Sequence, residues 1–172
     1  VPGAGEVLSK TAEYALRAAI CLASVGAGRV SAERLAKQTR VPRRYLHRVL
    51  QDLVQDGLIV STPGPKGGYA LARSTERITI LDVVHAVSPL QRIERCPLGL
   101  PSHVQLCPLH AELDSVLAHV ESALRRVTLA QVLASTERPR PLCDEAVCGA
   151  LLLANRSKGP DVGTMDWDSV DL

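Results

Sequence analysis

Phenylalanine is absent from this sequence, tryptophan occurs once and tyrosine three times among 172 residues. A core of stacked aromatic rings is therefore excluded, and the buried layer has to come from Leu, Val, Ile and Ala. These are plentiful. Hydrophobic residues make up 46% of the chain, enough to bury a core, which excludes wholesale disorder. No apolar run approaches the roughly 20 residues that cross a bilayer, and no charged-then-apolar leader opens the chain. A cytoplasmic protein with no membrane partner is expected. Thiols stay mostly reduced in that compartment. The five cysteines, Cys21, Cys96, Cys107, Cys143 and Cys148, are therefore not expected to form a disulfide framework. Also missing are a glycine-rich nucleotide loop, paired catalytic carboxylates and a nucleophile elbow, so an enzyme is not expected.

The net charge is only +2, but it is unevenly spread. Residues 29–77 carry ten Lys or Arg against four Asp or Glu, whereas residues 141–172 carry two basic against six acidic residues. A basic block inside a near-neutral protein points to a polyanionic partner, with nucleic acid the leading candidate.

The order of elements sharpens this. After a Pro/Gly-containing extension over residues 1–7, Ser9 is a candidate N-cap. Ala12, Ala15, Leu16, Ala19, Ile20 and Ala23 then recur at helical spacing up to Gly26 and Gly28. Ser31 caps a short helix from Ala32 to about Gln38. Pro42 opens another, which Gly57 stops. Two short apolar runs follow, Leu58-Ile59-Val60 and Tyr69-Ala70-Leu71, separated by a Pro/Gly-rich stretch from Ser61 to Gly68 in which no regular structure is expected. Thr79 and Asp82 form a capping box for a helix to about Val87. A loop is expected over residues 91–107, then a long helix from Pro108 to about Val127. Its Leu109, Leu113, Val116, Leu117, Val120, Leu124 and Val127 form one apolar seam with few elements left to cover it. A second copy of the helix is the expected partner. Thr128 and Gln131 cap a last short helix. The composition then shifts, and residues 136–172 read as a disordered acidic tail.

The expected fold class is therefore mainly α with a small β-hairpin wing: a winged helix-turn-helix over residues 8–90 joined to a long dimerisation helix within 108–135. On a wheel of roughly 100° per residue, Arg43, Arg44, His47, Arg48 and Gln51 share one arc, and Leu46, Val49, Leu50, Leu53 and Tyr45 take the remainder. A helix that reads the major groove needs this division. Arg suits guanine, Gln suits adenine, and His can donate or accept. Lys66, between the two apolar runs, supplies a point charge for phosphate. Tyr69 is expected to pack at the base of its strand, and Cys21 to be a small buried side chain.

Three segments, Leu8-Ser9-Lys10-Thr11-Ala12-Glu13-Tyr14-Ala15-Leu16-Arg17, Gly64-Pro65-Lys66-Gly67-Gly68-Tyr69 and Cys96…Cys107-Pro108-Leu109-His110, together resemble the Rrf-type (IscR/NsrR-like) family of bacterial winged helix-turn-helix regulators over residues 8–135. The resemblance implies a homodimeric transcription factor, usually a repressor, on a partly palindromic double-stranded DNA operator. Members commonly start near the first of these motifs, which makes Val7 the expected start. Some relatives place an arginine at the beginning of the wing for the minor groove. Here that place holds Pro63, so Arg44, His47 and Arg48 are expected to carry more of the discrimination.

The resemblance also implies that residues 91–107 can hold an iron–sulfur cluster. Cluster-binding members usually have three cysteines in this loop. This chain has two, with ten residues between them. That departure disfavours a three-thiolate 4Fe–4S site and favours 2Fe–2S with mixed ligands, since histidine can replace thiolate. The ligand set implied is Cys96, Cys107, His110 and an acidic residue from the first helix of the other subunit, here Glu13, with His103 as a competing nitrogen. A zinc site, a Cys96–Cys107 redox pair and a loop with no cofactor remain as alternatives.

Overall fold

The computed structural model describes residues 8–65, 67–100 and 104–135. The caps act where the spacing places them. The Ser9 hydroxyl accepts the Ala12 amide at 3.2 Å and starts α1, Lys10–Val25. Ser31 does the same for Arg34 at the head of α2, Ala32–Thr39. Helix α3 spans Arg43–Gln55, with Pro42 at its N-cap rather than inside its first turn. Gly57, at φ 70°, follows its end. Strands β1, Ile59–Thr62, and β2, Gly68–Leu71, pair antiparallel with Ile59 opposite Leu71 and Thr62 opposite Gly68. They thus extend into the stretch where no regular structure was expected, because the outer residues Ser61, Thr62 and Gly68 continue the ladder.

A single 3-10 turn, Thr75–Arg77, precedes α4, Ile80–Val87. Both halves of the α4 capping box are formed: the Thr79 hydroxyl accepts the Asp82 amide and the Asp82 carboxylate accepts the Thr79 amide. Described residues 88–100 and 104–107 run as loop up to α5, Pro108–Arg126. A second capping box, Thr128 with Gln131, opens α6, Leu129–Ala134. The two boxes lie side by side. The Ile80 amide donates to the Val127 carbonyl and the Leu129 amide to the Ile78 carbonyl, each at 2.9 Å, in an isolated bridge between Thr79 and Thr128.

Helix α1 is the centre of the packing and meets α2, α3, α4 and α6. Its buried positions are Ala12, Ala15, Ala18, Ala19, Ile20, Cys21, Leu22 and Ala23. Small side chains let neighbouring helices approach closely; Leu35, Leu46, Leu50, Leu53, Leu58, Ile59, Ile78 and Leu129 fill the remaining space. No aromatic ring is buried among the described residues.

Two expectations are corrected. Tyr45 is not on the packed side of α3: it is 45% exposed, because it stands beside α1 with its ring 6.0 Å from that of Tyr14 rather than under the helix. The α5 seam is not uniform. Leu117, Val120 and Leu124 are half-buried in their own chain, where α5 runs against α4, while Leu109, Leu113, Val116 and Val127 are exposed. The extension at residues 1–7 and the tail from residue 136 lie outside the described residues.

The wing is anchored by a third segment. Val30 and Tyr69 exchange backbone hydrogen bonds at 2.9 Å in both directions. Gly68 makes this approach possible: its φ is 140°, and a Cβ there would sit 2.7 Å from the Val30 carbonyl oxygen. Replacing Gly68 with Ala should destabilise the fold by about 1–3 kcal/mol through this clash, measured by urea unfolding, with helix content at zero denaturant unchanged.

Candidate nucleic-acid interface and thiol–imidazole site

The candidate recognition face is built by the division of α3. Leu46, Val49, Leu50 and Leu53 are buried, and Arg43, Arg44, His47, Arg48 and Gln51 are all exposed. Two of the outward charges face acidic partners. Arg43 faces Glu33 of α2 at 3.3 Å and Arg48 faces Asp52 one turn on at 3.6 Å. Such exposed pairs are weak, so a polyanion can displace them. Arg44 lies over the Tyr45 ring, 4.6 Å from its centroid, and donates to the Tyr45 hydroxyl at 3.0 Å. Tyr45 is the residue of this face that sequence reasoning missed; its adjacency to Arg44 was the only local signal.

The turn between α2 and α3 sets the angle of this face. Arg40 closes α2 in the left-handed conformation, φ 55°. The buried Thr39 hydroxyl donates to the Leu35 carbonyl at 2.7 Å, and Arg17 of α1 donates to the Thr39 carbonyl at 3.4 Å. Tyr69 packs against the core. Thr62, Pro63, Gly64, Pro65 and Gly67 of the wing line an open hollow of about 510 Å³ together with Arg29. Lys66 lies outside the described residues.

The second constellation sits at the start of α5. Cys96 comes from the loop, Cys107 caps the helix and His110 is in its first turn. Their Sγ, Sγ and ring nitrogen atoms all lie within 4.8 Å of one another. His110 Nδ1 is 3.1 Å from Cys107 Sγ and 3.6 Å from Cys96 Sγ. Donors sharing one tetrahedral centre, with metal–sulfur bonds of about 2.3 Å and metal–nitrogen bonds of about 2.0 Å, stand about 3.5 Å apart. The residues therefore fit a thiolate–imidazole metal centre, and soft sulfur with imidazole suits iron or zinc.

Among the described residues this group has three members. Glu13 is not one of them; its carboxylate pairs with Arg17 on the same helix. His103 lies outside the described residues, as do Cys143 and Cys148. Cys21 is buried, its thiol donates to Gln38 Oε1 at 3.1 Å, and burial pushes its pKa up to about 11. It behaves as a core side chain and not as a nucleophile.

Beside this group, Asp114 accepts Arg92 Nε at 2.6 Å, Arg92 Nη2 at 2.5 Å and the Ile93 amide at 2.9 Å. These bonds, first from Arg92 and then from the Ile93 backbone, hold its carboxyl down to about 2. Sequence reasoning missed this pair, which joins residues 22 apart with no motif to mark it.

Comparison with known proteins agrees with this architecture. A model of the Rrf2 family, described as iron-dependent transcriptional regulators, matches residues 8–135. A Mycobacterium tuberculosis protein named as an HTH-type transcriptional regulator is 35% identical over 128 residues, 73% of this chain and 80% of that protein. One from Aquifex aeolicus with the same kind of name is 27% identical, covering 77% of this chain and 94% of the relative. Among solved structures, T. potens IscR superposes with a TM-score of 0.63 at 25% identity, covering 76% of this chain and 88% of that one. CymR, the global cysteine regulator of B. subtilis, also gives 0.63, at 24% identity and 76% and 98% coverage. With its helices, turn and hairpin in this order and most of its length matched, the chain belongs to the Rrf2 family of DNA-binding transcriptional regulators.

Proposed function

We propose that this protein is a homodimeric, sequence-specific repressor whose affinity for its operator responds to an iron–sulfur cluster, with redox state, iron supply or nitric oxide as the signal. The observation that carries the DNA-binding part is the outward face of α3, basic and hydrogen-bonding, set at a fixed angle by the α2–α3 turn. In this reading Arg44, His47, Arg48 and Gln51 contact base edges, Arg43 and Lys66 contact phosphate, and residues 8–90 form the DNA-binding domain.

The dimer is proposed to form along α5. Leu109, Leu113 and Val116 are 64%, 47% and 58% exposed on that helix. A contiguous apolar stripe of this kind marks an interaction surface. Two-fold pairing of the helices would set the two α3 faces toward successive major grooves.

For the cofactor, the donor types gathered here, two thiols and an imidazole from Cys96, Cys107 and His110, support a 2Fe–2S cluster held in the loop 91–107, with Glu13 of a second copy as the fourth donor. When bound, the cluster supplies reversible one-electron chemistry and sensitivity to oxidants. The chain's own part is mechanical. Cys96 belongs to the loop and Cys107 and His110 to α5, so their engagement ties the loop to the dimer arm. Recruitment of Glu13 would free Arg17, whose other contacts are the carbonyl of Thr39 in the helix-turn-helix and the ring of Tyr14. Changes at the ligands thereby bias the angle of α3. A zinc- or thiol-dependent regulator of the same fold is the alternative that these donors also support.

Anaerobically purified protein should be coloured and contain iron, and its operator affinity should differ between cluster-loaded and cluster-free forms; equal affinities in gel shifts exclude sensing through the cluster. Arg48→Ala should lose about 1–3 kcal/mol of discrimination at one operator position, and His47→Ala should likewise relax base preference. Lys66→Ala should weaken operator and random DNA alike and reduce the salt slope by about one. Leu113→Glu with Val116→Glu should give monomers in sedimentation with helix content retained.

A further inference from the structure

We propose that Asp114 is the positioning residue of the thiol–imidazole site: it pins Arg92 and Ile93 to α5 one turn beyond His110 and so delivers Cys96 to the other two donors. The proposal rests on the reading above that Cys96, Cys107 and His110 hold a metal centre.

Asp114 follows His110 by four residues, so the two side chains lie on one face of α5. Arg92 approaches its carboxylate as a two-pronged fork, and the Ile93 amide adds a third bond from the main chain. A side-chain pair alone fixes a charge. A pair plus an adjacent backbone bond fixes the path of the chain. That path matters because described residues 88–100 contain no helix or strand to hold Cys96 in register. Within residues 91–100, Cys96 is the one buried residue and Ile93 is half-buried, while the neighbours Glu94, Arg95 and Pro97 are exposed. Ile93, held by Asp114, and Cys96, three residues on, are thus the two residues of 91–100 that are not exposed.

The clamp is charged at neutral pH, since Arg92 and the Ile93 amide both stabilise the carboxylate form. Glu121 also faces Arg92, but from 4.0 Å and while paired with Arg125. It touches no backbone of the loop in these contacts and serves as the control. An Asn at 114 would keep the volume but present an N–H2 group to one donor of the fork.

The test uses the full chain carrying Asp114→Asn, Arg92→Ala, which removes the two guanidinium bonds and leaves that of the Ile93 amide, or Glu121→Gln. In reduced, cluster-free protein, iodoacetamide should modify Cys96 several-fold faster in Asp114→Asn and Arg92→Ala than in wild type. Cys107 and Cys21 should react at unchanged rates, and Glu121→Gln should match wild type throughout. A loss of general stability would raise the rates of Cys21, Cys96 and Cys107 together, each followed by its own peptide among the five cysteines of the chain. Titration of cluster-free protein with Co²⁺, followed by its thiolate charge-transfer absorption, should show affinity about tenfold weaker in Asp114→Asn, as for other groups that orient a metal ligand without touching the metal. Unchanged Cys96 reactivity in both variants overturns the clamp. Faster Cys96 reaction in a protein whose wild type takes up no Co²⁺ supports the clamp and overturns the metal reading instead.

Discussion

The structure depends on how closely helices can approach α1. Five of its eight buried residues are alanines, and Cys21 is hardly larger. This lets α2, α3, α4 and α6 all pack against one helix. In a chain without phenylalanine the alternative, a thick aromatic layer between more distant helices, is not open. Close approach also makes α1 the mechanical reference for the proposed DNA-reading face of α3. Arg17 reaches the carbonyl that ends α2, and Tyr14 meets Tyr45 on α3. An interior this dense has little room to absorb a shift, so small displacements of α1 pass on to its neighbours.

This placement bears on the proposed sensing. The thiol–imidazole group lies at the junction of loop and α5, and the link from α5 to α3 runs through α4, which packs against both and against α1. Helix α1 carries Glu13, the proposed ligand from a second copy, next to Arg17 and Tyr14. The carboxylate that would complete one protomer's site is therefore placed one turn from the residues that steady its own recognition helix.

What could be read from the sequence follows the range of the interaction responsible. Caps at Ser9, Ser31, Thr79 and Thr128 are local, satisfied within three residues, and all four appear where their spacing places them. The division of α3 into a leucine/valine side and a basic side is equally local; Val54 and Tyr45 depart from it, Tyr45 because its partner Tyr14 lies on another helix. The convergence of Cys96, Cys107 and His110 was legible because cysteine and histidine around a Pro/Gly loop are chemically conspicuous. The features that escaped are pairings between distant segments of ordinary residues: Val30 with Tyr69, Thr79 with Thr128, and Arg92 with Asp114. Arg40 escaped for another reason. A left-handed helix end usually announces itself by glycine or asparagine, and here neither is present.

The bridge between Thr79 and Thr128 has an evolutionary corollary. It joins the chain just before α4 to the chain just after α5, so everything from residue 80 to residue 127 leaves and returns at one stitched point. Lengthening or shortening the excursion between those stitches adds little closure entropy and need not disturb the threading of the segments outside it. A loop of another length between α4 and α5 can thus be accommodated while the segments outside the bridge, α3 among them, keep their alignment.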